Sequence, residues 1–151
     1  MPSPEEATPQ DLFAACRKLY ASIDRLDTKA ANTVGVSRND LRCLNMLAEA
    51  PAKPSQIAAE LGLTTGSVTT LLDRLEKADL ARREPDPDDR RGIIVHPTPY
   101  LFKTLGPIYY AVAKEIERIA AEYLPEERRA AVKYLNDASA VYEVVTSLAD
   151  Q

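Results

Sequence analysis

Apolar residues recur at steps of three and four along most of the chain, and prolines and glycines cut that rhythm into segments. From Asp11, the positions Leu12, Cys16, Leu19, Ile23 and Leu26 share one helical face and predict a long first helix, preceded by a proline-bearing arm over residues 1–10. Gly35 interrupts the pattern. Ser37 with Asp40 three positions later is a variant capping box, opening a second helix through Leu41, Leu44 and Leu47 that Pro51 stops. Pro54 suits a first helical position, with Ile57, Ala58 and Leu61 facing inward and Gly62 at the left-handed position beyond the helix end. Thr64 then caps a fourth helix whose Val68, Leu71, Leu72 and Leu75 pack inward.

After Asp79 the period changes. Leu80 to Glu84 and Gly92 to His96 read as two short strands joined by the polar run Pro85 to Arg91, a hairpin with a charged tip. Thr98 and Pro99 open a long helix with Leu101, Leu105, Ile108, Val112, Ile116, Ile119 and Tyr123 at three-four spacing, bent at Gly106 and Pro107. Pro125 opens a last helix with Val132, Leu135, Val141, Val145 and Leu148 as its apolar positions. The expected fold is mainly α with a small β-hairpin. Residues 54–96 follow the order helix, turn, helix, hairpin, which is that of a winged helix-turn-helix, a scaffold whose second helix enters the DNA major groove.

Composition narrows what such a chain does. At 151 residues it fits one domain and buries enough surface to need neither disulfide nor structural metal. Two cysteines 27 positions apart suit reduced thiols in a cytoplasmic protein, and a single histidine argues against zinc; no apolar run approaches a membrane span. No cofactor is implied. Nucleophile elbow, phosphate loop and His-Glu-x-x-His are all missing, so no constellation supports an enzyme. The net charge of −4 requires any binding of nucleic acid to rest on a local arrangement of arginines. Residues 65–95 hold six basic and seven acidic side chains, which leaves Arg82, Arg83, Arg90 and Arg91 to supply most of the attraction.

The run LGLTTGSVTTLLDRLEKADLARREPDPDDRRGIIVHPTP, Leu61 to Pro99, closely resembles the central block of the MarR family of bacterial transcriptional regulators. Leu61-Gly62-Leu63, Val68-Thr69, Asp73-Arg74-Leu75-Glu76 and above all Asp86-Pro87-Asp88-Asp89-Arg90-Arg91 carry the likeness. The resemblance implies a winged helix-turn-helix lobe over residues 37–98 that binds double-stranded DNA. It also implies that the flanking segments, 11–36 and 99–151, are homodimerisation helices; their apolar faces exceed what a small winged helix can cover. Arg90 maps to the wing arginine that enters the minor groove, and Asp88 to the carboxylate that directs it. Arg74 maps to a residue at a phosphate, its bland alternative being an exposed arginine paired with Asp73 or Glu76.

Thr65, Ser67, Thr69 and Thr70 form the polar face of the recognition helix. Short hydroxyls contact phosphates or either kind of base but lack the arginine fork that reads guanine. Many relatives place a basic residue near Thr65 or at Thr70, so this chain shifts weight onto the wing and onto DNA shape. The family's small aromatic effectors bind between the terminal helices and the DNA-binding lobe, making Tyr20, Tyr109 and Tyr110 candidate contacts; the alternative for each is core or interface packing. Cys16-Arg17-Lys18-Leu19-Tyr20 resembles the local pattern of a peroxide-sensing branch, against an inert buried thiol for Cys16. Cys43 reads as core and His96 as a strand end. The expected output is a homodimeric repressor on a pseudo-palindromic site, released by an aromatic or apolar effector. Its rivals are a Cys16-based peroxide sensor and a winged helix that contacts only protein.

Overall fold

The computed structural model of the protein describes residues 7–149. The elements run α1 (Pro9–Val34), α2 (Arg38–Glu49), α3 (Pro54–Leu61), α4 (Thr65–Lys77), β1 (Ala81–Asp86), β2 (Asp89–Pro97), α5 (Pro99–Ala121) and α6 (Pro125–Ala149). They fall into two compact units, residues 1–108 and 109–151, with α5 running from the first into the second.

In the first unit, α1 starts earlier than the apolar period announces. Thr8 and Asp11 form a reciprocal capping box, with the Thr8 amide donating to Asp11 Oδ2 at 2.9 Å, and Pro9 takes the first turn, where its missing N–H costs nothing. Residues 1–6 of the expected arm lie outside the described residues, whereas Pro9 and Gln10 belong to the helix. Gly35, at φ 70°, ends α1 in the left-handed conformation that glycine adopts without steric cost. Ser37 and Asp40 then close the capping box expected for α2. Arg38 ties α2 back to α1 through Asp24 at 2.8 Å and Asp27 at 3.5 Å.

The core of this unit is the inward set expected from periodicity. Leu41, Leu44, Leu47, Ile57, Val68, Leu71, Leu72, Leu75, Leu80 and Val95 are all almost fully buried. The sheet is the antiparallel pair β1–β2, extended by one residue: the N–H and C=O of Ala52 both bond to Val95, at 3.1 and 2.8 Å. A single bridging residue between two prolines offers no period to read, which is why the sequence shows only a break there. At the far end Thr98 caps α5, its hydroxyl donating to the Asp79 carbonyl and accepting from the Leu101 amide, as expected.

In the second unit α5 continues to Ala121 and α6 follows after a short turn. The Leu124 amide donates to Glu127 at the start of α6. Nothing on α6 is buried: Val132, Leu135, Val141, Val145 and Leu148 all stand exposed, as do Val112, Ile116 and Ile119 on α5. Among the described residues no helix is long and apolar enough to cross a membrane.

Candidate nucleic-acid interface

Gly62, at φ 64°, turns the chain between α3 and α4, and the Thr64 hydroxyl accepts the Ser67 amide to start α4. Burial of Val68, Leu71, Leu72 and Leu75 fixes the rotation of this helix, so Thr65, Ser67, Thr69 and Thr70 are all presented to solvent. Two of these hydroxyls already have a use for their proton. Thr69 donates to the Thr65 carbonyl and Thr70 to the Gly66 carbonyl, both at 3.1 Å, while Ser67 Oγ accepts from Thr64. Held this way, Thr69 and Thr70 offer lone pairs to a ligand, which suits the amino groups of adenine and cytosine; contact with a phosphate requires the back-bond to open.

The arginines separate into bound and free. Arg74 does not pair with Asp73 or Glu76. It crosses to α2, where Nη2 meets Asp40 Oδ1 at 2.7 Å and Nε lies 3.4 Å from Oδ2. Asp40 is buried and also closes the α2 capping box, so one carboxylate fixes both a helix start and the direction of an arginine that stays 52% exposed. The hydrogen bond to Asp40, with its charge, raises the Arg74 pKa further. A cleft beside this pair is lined by Ser37, Asn39, Ser67, Thr70 and Arg74, bringing the start of α2 and the polar face of α4 together.

Arg83, expected among the attracting arginines, is turned onto α4 instead. Its guanidinium contacts Glu76, Asp73 at 2.9 Å and the Thr69 carbonyl at 3.1 Å, and its own amide donates to Glu76. The side chain is only 22% exposed, so Arg83 fastens β1 to the recognition helix and its charge is already matched by two carboxylates. Arg82 pairs with Glu84 at 2.8 Å, and Glu84 also faces His96 at 3.4 Å. Of the four arginines, Arg90 and Arg91 alone form no ion pair among the described residues, and both are exposed.

The wing departs from the expected hairpin in two ways. Strand pairing continues further than the apolar residues suggest, to Pro85↔Ile93, and then jumps to Asp86↔Asp89 across the turn Pro87-Asp88. Arg90, Arg91 and Gly92 thus have no opposite residue on β1 and form a bulge, rather than the loop itself. Secondly, no ion pair joins Asp88 to Arg90; the wing carboxylate tied to another element is Asp86. It is buried, accepts the Asp88 amide at 2.9 Å and lies 2.8 Å from Lys53 Nζ at the start of α3. That pairing holds the Asp86 carboxyl below its ordinary range and pushes the Lys53 ammonium above its own. Gly92 packs against this group so closely that a Cβ there would stand 3.0 Å from the Asp86 Cβ.

The remaining candidates scatter. Cys16 is half-buried on α1; Cys43 is fully buried, and desolvation, with a smaller contribution from Asp40, pushes its thiol up to about 12, which makes it inert. Tyr20 and Tyr110 are exposed and Tyr109 half-buried. Among the described residues no three His, Cys, Asp or Glu side chains are grouped to hold a metal ion.

A capped two-helix unit with a polar outward helix face, followed by a hairpin bearing two free arginines, is a winged helix-turn-helix of the DNA-binding kind. The sequence model of the MarR family matches residues 34–92. The chain is 32% identical over 139 residues to YcgE, an HTH-type transcriptional regulator of Bacillus subtilis, an alignment covering 91% of this chain and 88% of that one. Over 50 residues, a third of each chain, it is 40% identical to MgrA, an HTH-type regulator of Staphylococcus aureus. Among solved structures, FabT of Streptococcus pneumoniae, crystallised in complex with DNA, superposes with a TM-score of 0.64 at 24% identity, covering 88% of this chain and 99% of that one. A transcriptional regulator of Thermotoga maritima gives 0.63 at 24% identity, covering 91% and 98%. The chain belongs to the MarR family: it is a transcriptional regulator with a DNA-binding winged helix, in a family of regulators rather than enzymes.

Proposed function

We propose that the protein acts in the cytoplasm as a homodimeric repressor on a pseudo-palindromic operator, and that a small aromatic or apolar effector releases it. The observation that carries the dimer is the contrast in burial. Residues 37–98 close their core with Ala30 and Ala31 of α1 and Leu101 and Leu105 of α5, while the rest of α1, α5 and α6 leaves Leu12, Leu19, Ile23, Ile116, Ile119 and Leu148 in water. A second copy covers such faces at least cost, which assigns residues 11–36 and 99–151 to dimerisation and 37–98 to DNA. Thr65, Ser67, Thr69 and Thr70 read the major groove, Arg74 meets a phosphate, and Arg90 with Arg91 reaches the flanking minor groove; Arg82 and Arg83 hold the wing stem and its neighbour helix. A dimer lying across two adjacent major grooves blocks polymerase from the same DNA, which makes repression the simplest output.

Selection of bound DNA from a random pool tests this reading. It should return an inverted repeat with half-site centres about 10 base pairs apart. Recovery of no enriched sequence would favour the protein-contact rival, and a lone half-site would contradict the dimer.

Two triggers compete for release. Tyr20 on α1, and separately Tyr109 and Tyr110 on α5, are the tyrosines that could offer a ring to an aromatic ligand. The half-burial of Cys16 keeps peroxide sensing as a second reading, since a sulfur must be reachable to be oxidised. DNA release measured with a panel of phenols and with an organic hydroperoxide, for the parent and Cys16→Ser, decides between them. Ligand control predicts release by a phenol in both proteins; release by peroxide that vanishes in Cys16→Ser overturns it.

A further inference from the structure

The wing carries four acidic residues, Glu84, Asp86, Asp88 and Asp89, and only Asp86 is buried. A carboxylate at the end of an exposed hairpin has no need of burial unless it holds something. Asp86 binds the turn through the Asp88 amide and meets Lys53 across a 2.8 Å ion pair. Lys53 is itself fixed in space. It follows Ala52, whose two backbone bonds to Val95 seat the segment on the stem of the wing, and it precedes Pro54, the first residue of the helix-turn-helix. One short segment thus grips the wing at its stem through Ala52 and near its turn through Lys53. The bulge packs on the same residue: Gly92 lies against the Asp86 and Asp89 side chains, and the Arg91 amide donates to Asp89 Oδ1 at 3.0 Å. Asp86 pairs with Asp89 at one end of the bulge and touches Gly92 at the other, so the backbone that carries Arg90 and Arg91 is anchored on both sides of them.

We propose that Asp86 and Lys53 form a strut between the wing turn and the start of the helix-turn-helix, and that Asp86 is the positioning residue that aims Arg90 at DNA. The inference rests on the assignment of Arg90 to the minor groove. It moves to Asp86 the directing role that the Asp88-x-Arg90 pattern places on Asp88. An arginine held on a stiff arm meets a narrow groove without first losing the freedom of the whole hairpin, so the strut acts by preorganisation. Lys53 neutralises a carboxylate that sits beside the incoming phosphates, and its loss leaves that buried charge unmatched.

A double-mutant cycle on DNA affinity tests the strut. Asp86→Asn keeps an acceptor for the Asp88 amide but replaces the oxygen that faces Lys53 by an NH2, removing both the charge and the acceptor at that end; Lys53→Met removes the other end. Each should weaken binding about tenfold in the Arg90 protein, yet less than about twofold when Arg90→Ala is already present, because a strut that only aims Arg90 has nothing left to aim. Urea unfolding of every variant shows which of them keep the parent's stability. Lys53, 47% exposed, carries the test if Asp86→Asn fails to fold. Equal losses in both backgrounds would overturn the proposal, showing that Asp86 and Lys53 act on the fold or on DNA directly. An Arg90→Ala protein that binds like the parent is a distinct failure: it removes the minor-groove assignment itself and the strut with it.

Discussion

Asp40 gives the sharpest test of how the DNA-binding face is assembled, because one buried carboxylate holds two elements whose loss can be separated. Asp40→Ala deletes the acceptor for the Ser37 amide and both contacts to Arg74, while the reverse half of the cap, Asp40 N–H to Ser37 Oγ, survives in the backbone. Half a capping box is worth about 0.5–1 kcal/mol. A hydrogen bond between charged groups contributes about 1.5–3 kcal/mol, reduced here to about 1 kcal/mol by water around the half-exposed Arg74. The expected total is a destabilisation of about 2 kcal/mol, or about 4–8 °C in Tm for a chain of this size. Asp40→Asn with its amide oxygen at the cap keeps the acceptor for Ser37 but turns an NH2 toward Arg74, losing the charge and the Nη2 bond, so it should cost about half as much. Urea unfolding reads both as shifts of midpoint at unchanged slope. The same pair makes an opposite-sign prediction for DNA. Asp40→Asn makes each chain more positive, which by charge alone tightens binding, whereas release of Arg74 from its fixed direction weakens it. A loss from Asp40→Ala below about 0.5 kcal/mol, or tighter binding by Asp40→Asn, would refute this account of the face.

The exposed faces of α5 make a second prediction: Ile116→Glu with Ile119→Glu should shift the protein from dimer to monomer by sedimentation, and a parent that is itself monomeric at micromolar concentration would contradict the dimer. Gly92→Ala puts a methyl group 3.0–3.1 Å from Asp86 and Asp89, so it should displace the bulge and weaken DNA binding while leaving the urea midpoint of the fold near the parent's. The Asp86–Lys53 pair also fixes a pH dependence. Asp86 has its pKa lowered on folding, so its stabilisation is present above the ordinary carboxylate value of 3.8 and is lost as pH falls through the lower folded value; Lys53, raised above 10.5, loses its share only as pH rises through the higher folded value. Exchange protection of the Asp88 amide should therefore be level across neutral pH and fall only below 3.8, and a loss centred near neutrality would contradict the pair.

The core and the helix order were legible because both follow from a period. Val68, Leu71, Leu72 and Leu75 lie where three-four spacing puts them, and Ser37, Thr64 and Thr98 cap the helices they were expected to open. Contacts between elements carry no such signal. That Arg74 reaches Asp40, 34 positions away, or that Arg83 folds back onto Asp73 and Glu76, depends on how α2, α4 and β1 pack. Charge counting therefore overestimated the free arginines, crediting Arg83 with attraction already cancelled by its neighbours. Lys53 was missed for the same reason: a lone lysine between two prolines becomes meaningful only once Ala52 is bridged to β2. The first turn of α1 is a different case, since Thr8-Pro9 with Asp11 is a readable capping signal that the apolar period, beginning later, obscured.

The central claim, that this winged helix binds DNA with Arg90 as a contact made through the wing, is tested most directly by the salt dependence of affinity for a selected site. The parent should show a steep linear fall of log K with log salt concentration. Arg90→Ala should bind more weakly and, because a cation in the minor groove also displaces condensed counterions, lower the slope by up to about 0.9 for each wing, hence up to about 1.8 for a dimer on a palindrome. A parent affinity indifferent to salt would contradict DNA binding through this face, and an Arg90→Ala protein with the parent's affinity and slope would contradict the role of the wing.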